Sequence, residues 1–433
     1  MDKFYSTIKI DYGKCPPHCD LCEKACLSAK GGKIPLIRAY PGGPIVCNQC
    51  GEPQCLQMCP TTAITKNYEN GVVSVDSEKC VGCGLCTLGC SYGGIYYDYE
   101  SMRVLKCDMC GGEPQCVKAC PEGVLTYIDY PEKLRGYLVT EDLFTKGVGL
   151  CAGCPIETMS RLTGQVLGEK VVFFGTPGCC SRITQGIGTK ASARGPCYFC
   201  LMTTPAATAA GAKRYYKRKG EDILAVAMIG DGATADVGFA ALSGAAERGE
   251  NIIYICIDNE AYMATGIQKS GTTPLSAWTF TSPVGKVRSG RTNPSKYLPL
   301  IMADHGIPYV ATASISHPLD YARKLEKAKK VKDGLVYIHI FSPCYVGWRA
   351  ADDSAIEISR MAIETNYFPL WEYERGTYRF TYLPEKPKPI GEFTKLMGRF
   401  QHLNEEGIMA LQRMVDERFN KIKALTLLGE EKS

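Results

Sequence analysis

The chain has 433 residues, of which 45% are hydrophobic and 22% charged, with a net charge of +5. That is ordinary for a globular protein of two or three domains, and the charge is too small to argue for a nucleic-acid partner. No run reaches the roughly 18 apolar residues of a membrane helix, and Met1–Ser6 lacks the regions of a signal peptide, so a cytoplasmic protein with no membrane span is expected.

Sixteen of the 24 cysteines lie between Cys15 and Cys120. A secreted disulfide framework would need an oxidising compartment; in a reduced protein, clustered thiols indicate metal. Residues 1–128 are rich in Cys, Gly and Pro, with only short apolar pieces such as Val72–Val75. They cannot form a large conventional core, and bound metal would supply the missing stability. The run from Cys47 to Cys55 is echoed from Cys107 to Cys116 with one residue inserted. Each run then reaches Cys-Pro and a short β-like piece, which marks a duplicated module.

Four compact groups result: Cys15, Cys19, Cys22 and Cys26; Cys47, Cys50, Cys55 and Cys59; Cys80, Cys83, Cys86 and Cys90; Cys107, Cys110, Cys116 and Cys120. In the third, C-x2-C-x2-C-x3-C, one short loop can present three thiolates to a cubane while the fourth cysteine turns to a neighbouring cluster. Structural zinc uses two separated C-x2-C pairs instead. The series resembles the four-cluster ferredoxin-like subunits that feed hydrogenases and molybdenum oxidoreductases. That resemblance implies a crossed pairing. Cys15, Cys19 and Cys22 would join Cys120, and Cys107, Cys110 and Cys116 would join Cys26. Cys47, Cys50 and Cys55 would join Cys90, and Cys80, Cys83 and Cys86 would join Cys59. The first group departs from the usual spacing by one residue between Cys15 and Cys19.

Residues 129–147, with Pro131 and Gly136, read as a linker. From 148 to 345 the texture changes. Apolar runs at Val171–Phe174, Ile223–Ile229, Ile252–Ile257, Tyr309–Ala311 and Leu335–Ile340 alternate with helical patterns at Ala233–Arg248 and Leu319–Val331. Near-continuous apolar strands separated by helices predict a parallel sheet covered on both faces. The basic run Lys213–Lys219 reads as the solvated end of a helix. Residues 346–433 are charged, partly helical and broken by Pro384, Pro387 and Pro389. They read as a C-terminal extension packing on this domain or on a partner subunit.

Gly230-Asp231-Gly232 follows a buried strand, and Asn259 follows the next strand 28 positions after Asp231. Gly-Asp-Gly alone is most often a turn. With the second motif in register it is the layout of a thiamine-diphosphate site. There Asp231 and Asn259 offer oxygen ligands to Mg2+, and the glycines let backbone N–H groups approach a diphosphate.

The stretch Gly230–Gly238 followed by Asp258–Pro274 resembles the β subunits of the pyruvate and 2-oxoacid:ferredoxin oxidoreductase family, over residues 148–345. The resemblance implies an α/β fold, a parallel-sheet thiamine-diphosphate-binding domain preceded by a small α+β polyferredoxin domain. It puts Gly230, Asp231, Gly232, Asn259, Ala261, Ala264 and Thr265 around the cofactor. Mg2+ would be held by the side chains of Asp231 and Asn259 and the backbone carbonyl of Ala261. Cys151, Cys154, Cys179 and Cys344 would hold a further 4Fe–4S cluster, making five. Pyruvate-type members usually carry Asn where this chain has Ala264. The freed volume fits a bulkier 2-oxo acid, such as an aryl one, better than pyruvate.

The implied activity is oxidative decarboxylation of a 2-oxo acid to an acyl-coenzyme A and CO2. Electrons would leave through the clusters to ferredoxin or another acceptor. The activating Glu and the pyrimidine-binding domain would come from an α subunit, with a γ subunit alongside, so no catalytic residue is assigned in this chain. Two alternatives stay open: a non-redox thiamine-dependent decarboxylase or synthase, and an electron-transfer subunit with a vestigial site. About twenty irons per chain would separate the first reading from a non-redox enzyme. Cys180 could replace Cys179 as a ligand, and Cys256 reads as a core residue. Cys197 and Cys200 read as packing residues, redox-active thiols or ligands. None of the five histidines lies in a motif that assigns it a role.

Overall fold

The two textures of the sequence fold into two units, Met1–Gly136 and Tyr137–Ser433. The computed structural model describes residues 7–50, 53–67, 71–128, 143–144, 149–181, 193–287 and 289–430, so most of the expected linker lies outside the described residues.

The N-terminal unit is built from very short strands: β1 (Thr7–Ile10), β2 (Ile37–Arg38), β3 (Ile45–Val46), β4 (Ile64–Lys66), β5 (Val73–Val75), β6 (Ile95–Asp98), β7 (Arg103–Lys106) and β8 (Leu125–Ile128). They pair antiparallel as β1–β8, β2–β3, β4–β5 and β6–β7. The duplication is visible in three dimensions. Pro53 and Pro114 precede single helical turns, Gln54–Gln57 and Gln115–Lys118, and each turn buries a cysteine, Cys55 or Cys116, before the strand that follows. Proline's fixed φ suits a helix start. Cysteines make up much of the interior: Cys22, Cys26, Cys47, Cys107 and Cys116 pack with Ile8, Leu36, Ile37, Val46 and Met109.

The second unit carries β9 (Val171–Gly175), β10 (Cys197–Phe199), β11 (Leu224–Gly230), β12 (Ile253–Asp258), β13 (Tyr309–Ser314), β14 (Val336–Phe341), β15 (Leu370–Glu374) and β16 (Thr377–Tyr382). Among the described residues they form one eight-stranded sheet in the order β10-β9-β11-β12-β14-β13-β15-β16. The first six are parallel, and β15 and β16 add antiparallel on the β13 edge. Alternate residues of β11 and β12 (Ala225, Ala227, Ile229, Tyr254, Cys256) join one core with the helices Pro205–Arg218 and Phe239–Glu247. The intervening Val226, Met228, Ile253 and Ile255 are equally buried on the other face. The fold is therefore α/β with both sheet faces covered, as the continuous apolar runs predict.

The segment expected as an extension contributes two strands to the sheet itself. It also forms a second core in which Trp348, Tyr367, Phe368 and Phe393 surround Phe341 of β14. The basic run ends the helix Pro205–Arg218. Among the described residues, no helix is long and apolar enough to cross a membrane.

Candidate thiamine-diphosphate and cluster site

Four adjacent parallel strands end on the same edge of the sheet. Beyond β9 lies Cys179, beyond β11 Asp231, beyond β12 Asn259 and beyond β14 Cys344. Open α/β sheets bind ligands in the crevice outside the carboxyl ends of their strands. A cleft there is lined by Cys179, Gly230, Asp231, Asn259, Ala264 and Thr265. Gly232 lies against Tyr262, because a Cβ built at 232 would sit 2.4 Å from the Tyr262 ring. The Tyr262 hydroxyl lies 2.9 Å from the Gly232 carbonyl and 3.1 Å from Asp236, two acceptors that compete for its one proton and fix the floor of the turn.

Asp231 is 1% exposed. Its carboxylate accepts from the Ser270 hydroxyl at 2.5 Å and lies 3.0 Å from the Thr272 hydroxyl. Thr272 is also 2.8 Å from Asp258, and its one proton cannot serve both carboxylates. Burial, and then the charge of Asp258, push the Asp231 carboxyl well above the usual carboxylate range. A bound cation would reverse that shift.

Asn259 tests whether a cation fits. Its amide reaches Asp231 Oδ1 at 3.1 Å and the Ala261 carbonyl at 2.8 Å, and with its nitrogen turned toward them it donates to both. Rotated by half a turn, the same amide would set its oxygen beside these two acceptors, an arrangement that only a cation would favour. Neighbouring ligands of an octahedral Mg2+ at 2.0–2.1 Å stand about 2.9 Å apart. With the amide so turned, the three residues would offer the oxygen donors that Mg2+ requires.

The cysteines gather in fours. Cys15, Cys19, Cys22 and Cys120 line one cavity, and Cys26, Cys107, Cys110 and Cys116 another. After burial, the neighbours that most raise the Cys50 thiol are Cys47 and Cys90, and these also raise Cys55. Cys59, Cys83 and Cys80 act in the same way on Cys86. In the second unit burial pushes Cys154 up to about 12, and Cys179, Cys344 and Cys151 add to it. Cys179 is held up at about 11 by burial, then by Cys344, Cys151 and Asp231, with the nearby Ala264 backbone acting against them. Among the described residues no three His, Cys, Asp or Glu side chains close around a single ion. Buried thiols that repel one another as thiolates are what iron, as a Lewis acid, would stabilise.

The remaining thiols lie apart from these sets or at their margin. Cys180 is buried beside Cys179 and Asp231, and Cys256 is wholly buried in β12. The Cys200 sulfur donates to the Gly175 carbonyl at 3.3 Å inside the core. Burial alone pushes Cys197 up to about 12.

Sequence reasoning missed several residues. His339 is buried, with Nε2 2.8 Å from Asp258 Oδ2 and Nδ1 2.8 Å from the Tyr337 hydroxyl. Alternation along β14 could have flagged it as an inward polar residue. Glu260, inside the motif, turns away from the cleft. Its carboxylate accepts from the Tyr367 hydroxyl at 2.7 Å and pairs with Arg399 at 2.5 Å. In the N-terminal unit, buried Lys106 donates to the Val73 carbonyl at 2.6 Å, and its charge favours the thiolates of Cys50 and Cys55.

Fold and site define a thiamine-diphosphate-binding α/β domain joined to an iron–sulfur unit. Residues 178–340 match the thiamine pyrophosphate enzyme family's C-terminal TPP binding domain, and residues 42–130 match a 4Fe-4S dicluster domain. The NADH-dependent phenylglyoxylate dehydrogenase subunit beta of Aromatoleum evansii is 40% identical over 441 residues, covering 98% of this chain and 99% of that one. Pyruvate synthase subunit PorB of Methanothermobacter thermautotrophicus is 47% identical over 277 residues, 64% of this chain and 96% of its own. Ketoisovalerate oxidoreductase subunit VorB of Pyrococcus horikoshii is 42% identical over 309 residues, 69% of this chain and 98% of its own. The chain belongs to the thiamine-diphosphate β subunits of the 2-oxoacid:ferredoxin oxidoreductase family, here with an N-terminal ferredoxin-like unit. It is an oxidoreductase subunit, which decides against the non-redox alternative.

Proposed function

We propose that this chain serves the oxidative decarboxylation of an aryl 2-oxo acid to its coenzyme A thioester. Gly230, Asp231, Gly232, Asn259, Ala261, Ala264 and Thr265 cradle thiamine diphosphate, with Mg2+ on Asp231, Asn259 and the Ala261 carbonyl. Cys151, Cys154, Cys179 and Cys344 hold a cluster beside the cofactor. The four crossed sets of the N-terminal unit hold four more, five in all. A pyrimidine-binding α subunit supplies the activating Glu, a γ subunit completes the assembly, and ferredoxin or another carrier accepts the electrons.

The observation that carries this reading is the cleft itself, which Cys179 lines together with Gly230, Asp231, Asn259 and Ala264. A proposed cluster ligand thus stands among the residues of the cofactor cleft. Bound thiamine diphosphate supplies the electron sink for loss of CO2 and a source of low-potential electrons. This chain's part is to orient and to insulate. Asp231 and Asn259 fix the diphosphate through Mg2+, Ser270 and Thr272 hold the Asp231 carboxylate in place, and the short Ala264 side chain leaves room for a ring. The likeness to a phenylglyoxylate dehydrogenase subunit along the whole chain supports an aryl substrate.

The test is a panel of 2-oxo acids on the native complex, with a dye acceptor and with coenzyme A present or omitted. Phenylglyoxylate should turn over faster than pyruvate, and Ala264→Asn should shift the preference toward pyruvate. Pyruvate turnover well above that of every aryl acid would overturn the substrate assignment. Iron near zero would overturn the cluster assignment.

A further inference from the structure

The segment Gly398–Phe400 brings a buried cation to the site. Arg399 is 2% exposed. A guanidinium taken from water costs several kcal/mol unless compensated (an order of magnitude), and it carries five N–H donors. Its surroundings offer one carboxylate oxygen, Glu260 Oε2 at 2.5 Å, the face of Trp348 at 3.5 Å and the Met397 sulfur at 3.3 Å from Nε. The pair is close but badly angled for a hydrogen bond. Much of what holds Arg399 is therefore charge and stacking.

Two proposed ligand groups hang on these contacts. Glu260 lies between Asn259 and Ala261 with φ at +61°, a left-handed backbone that a glutamate keeps only when its surroundings impose it. Tyr367 and Arg399 draw its side chain out of the cleft. That leaves the Asn259 amide facing both Asp231 and the Ala261 carbonyl. On the other side, Trp348 Nε1 donates to the Asn259 carbonyl at 3.0 Å, and the Trp348 backbone N–H donates to the Cys344 carbonyl at 2.8 Å. Arg399 covers the ring that makes this bridge.

We propose that Arg399 is a positioning residue that locks the Mg2+ turn to the Cys344 corner of the adjacent cluster, and that its fixed charge favours the cluster's reduced form. The inference rests on the assignment of Mg2+ and the cluster made above. Reduction adds an electron to a low-dielectric site, so a buried cation within reach stabilises the product of electron transfer and raises the potential. The Arg399 guanidinium lies 3.5 Å from the ring of Trp348, whose backbone N–H is bonded to the Cys344 carbonyl, and from there its charge works against burial at the Cys344 sulfur. One side chain would thus set both the geometry of the electron source and the affinity of the first acceptor.

The experiment uses the assembled holoenzyme with Arg399→Met, Arg399→Lys and Glu260→Gln. It reads the midpoint potential of the Cys344 cluster by redox titration and the Kd of thiamine diphosphate in Mg2+ buffer. Arg399→Met should move the potential to a more negative value and raise Kd by roughly 10- to 100-fold, as for other residues that orient metal ligands. Arg399→Lys keeps the charge, so it should hold most of the potential while losing affinity, because an ammonium cannot stack flat on Trp348. Glu260→Gln removes a negative charge and keeps the Tyr367 contact. It should move the potential the opposite way and still raise Kd. A potential unmoved in Arg399→Met, or moved equally in the Lys and Met variants, overturns the electrostatic half. If Arg399→Met does not assemble, an unchanged Kd and potential in Glu260→Gln overturns the whole. A wild-type complex that binds no thiamine diphosphate, or shows no signal lost in Cys344→Ser, sinks the underlying assignment instead, whatever Arg399 does.

Discussion

Gly232 shows how little space the cofactor turn leaves. A methyl group there would meet the Tyr262 ring at 2.4 Å, and the ring cannot swing away without breaking its hydroxyl's contacts with Gly232 and Asp236. Gly232→Ala should therefore displace Tyr262. We expect a stability loss of about 1–3 kcal/mol for the overpacking, and a larger proportional loss of thiamine-diphosphate affinity. Denaturant unfolding and cofactor titration on the same preparation would check this; unchanged affinity would mean that Tyr262 does not shape the site. Asp231 makes a second case. Burial and Asp258 hold its carboxyl above the usual range, so a proton competes with Mg2+ for it. Mg2+ affinity should fall as the pH drops through that raised value, and Asp231→Asn should weaken cofactor-dependent Mg2+ binding and flatten the pH dependence of what remains. Calorimetric Mg2+ titrations across a pH series would read both. A pH dependence that persists in Asp231→Asn would place the competing proton elsewhere.

At the scale of elements, β15 is held to its neighbours by Glu372. This buried carboxylate takes the Tyr309 hydroxyl of β13 at 2.6 Å, Lys327 of the helix Pro318–Lys330 at 2.6 Å, and Arg379 of β16. Burial alone would raise its pKa, but Lys327, Tyr309 and Arg379 hold it below the usual 4.5. A depressed carboxylate contributes stability that is fully present above pH 4.5 and lost as the pH falls through the folded value. Glu372→Gln should cost about 1.5–3 kcal/mol at neutral pH, the scale of a hydrogen bond to a charged group, with the smaller figure favoured because Lys327 and Arg379 keep partial contact with water. The difference between variant and wild type should shrink in acid. Urea titrations at pH 7 and pH 4 test this, and a gap that widens in acid would reverse the sign. The same region marks where reading the sequence stops. β9 and β11 to β14 are legible because burial on both faces makes them continuous apolar runs. In Leu370–Glu374 the charges that anchor the strand, and the prolines soon after, give it the look of a solvated tail. β10 is too short, and Tyr198 and Phe199 too exposed, to show a period. The cysteine groups are legible because each closes within a few residues, and Asp231 and Asn259 because two short motifs stand a fixed 28 positions apart. The contacts of His339 with Asp258 span 81 positions and those of Tyr367 with Glu260 span 107, and only the fold brings them together.

At the scale of the whole molecule, the two units are stable for different physical reasons, and iron should separate them. Among the described residues, the strands of the N-terminal unit run two to four residues and pair in twos. Such hairpins are marginal alone in water. Much of the interior they share is sulfur: Cys22, Cys26, Cys47, Cys107 and Cys116 in one core, Cys55 and Cys86 in the other. Where proposed ligands are also core residues, the binding free energy of the metal is folding free energy. The second unit has strands of up to seven residues whose interior positions are buried on both faces, and its main core of Ala, Ile, Leu, Tyr and Trp needs no metal. Anaerobic removal of iron should therefore abolish amide protection across residues 7–128 while β11, β12 and β14 keep theirs, with the protected fraction of the first unit tracking iron content. Hydrogen exchange read by mass spectrometry on the same samples as the iron assay makes the comparison. Protection that survives in Ile95–Lys106 after the iron is gone would show that the short strands and their few apolar partners suffice. In that case the thiols of the first unit would be passengers in a core that other forces hold.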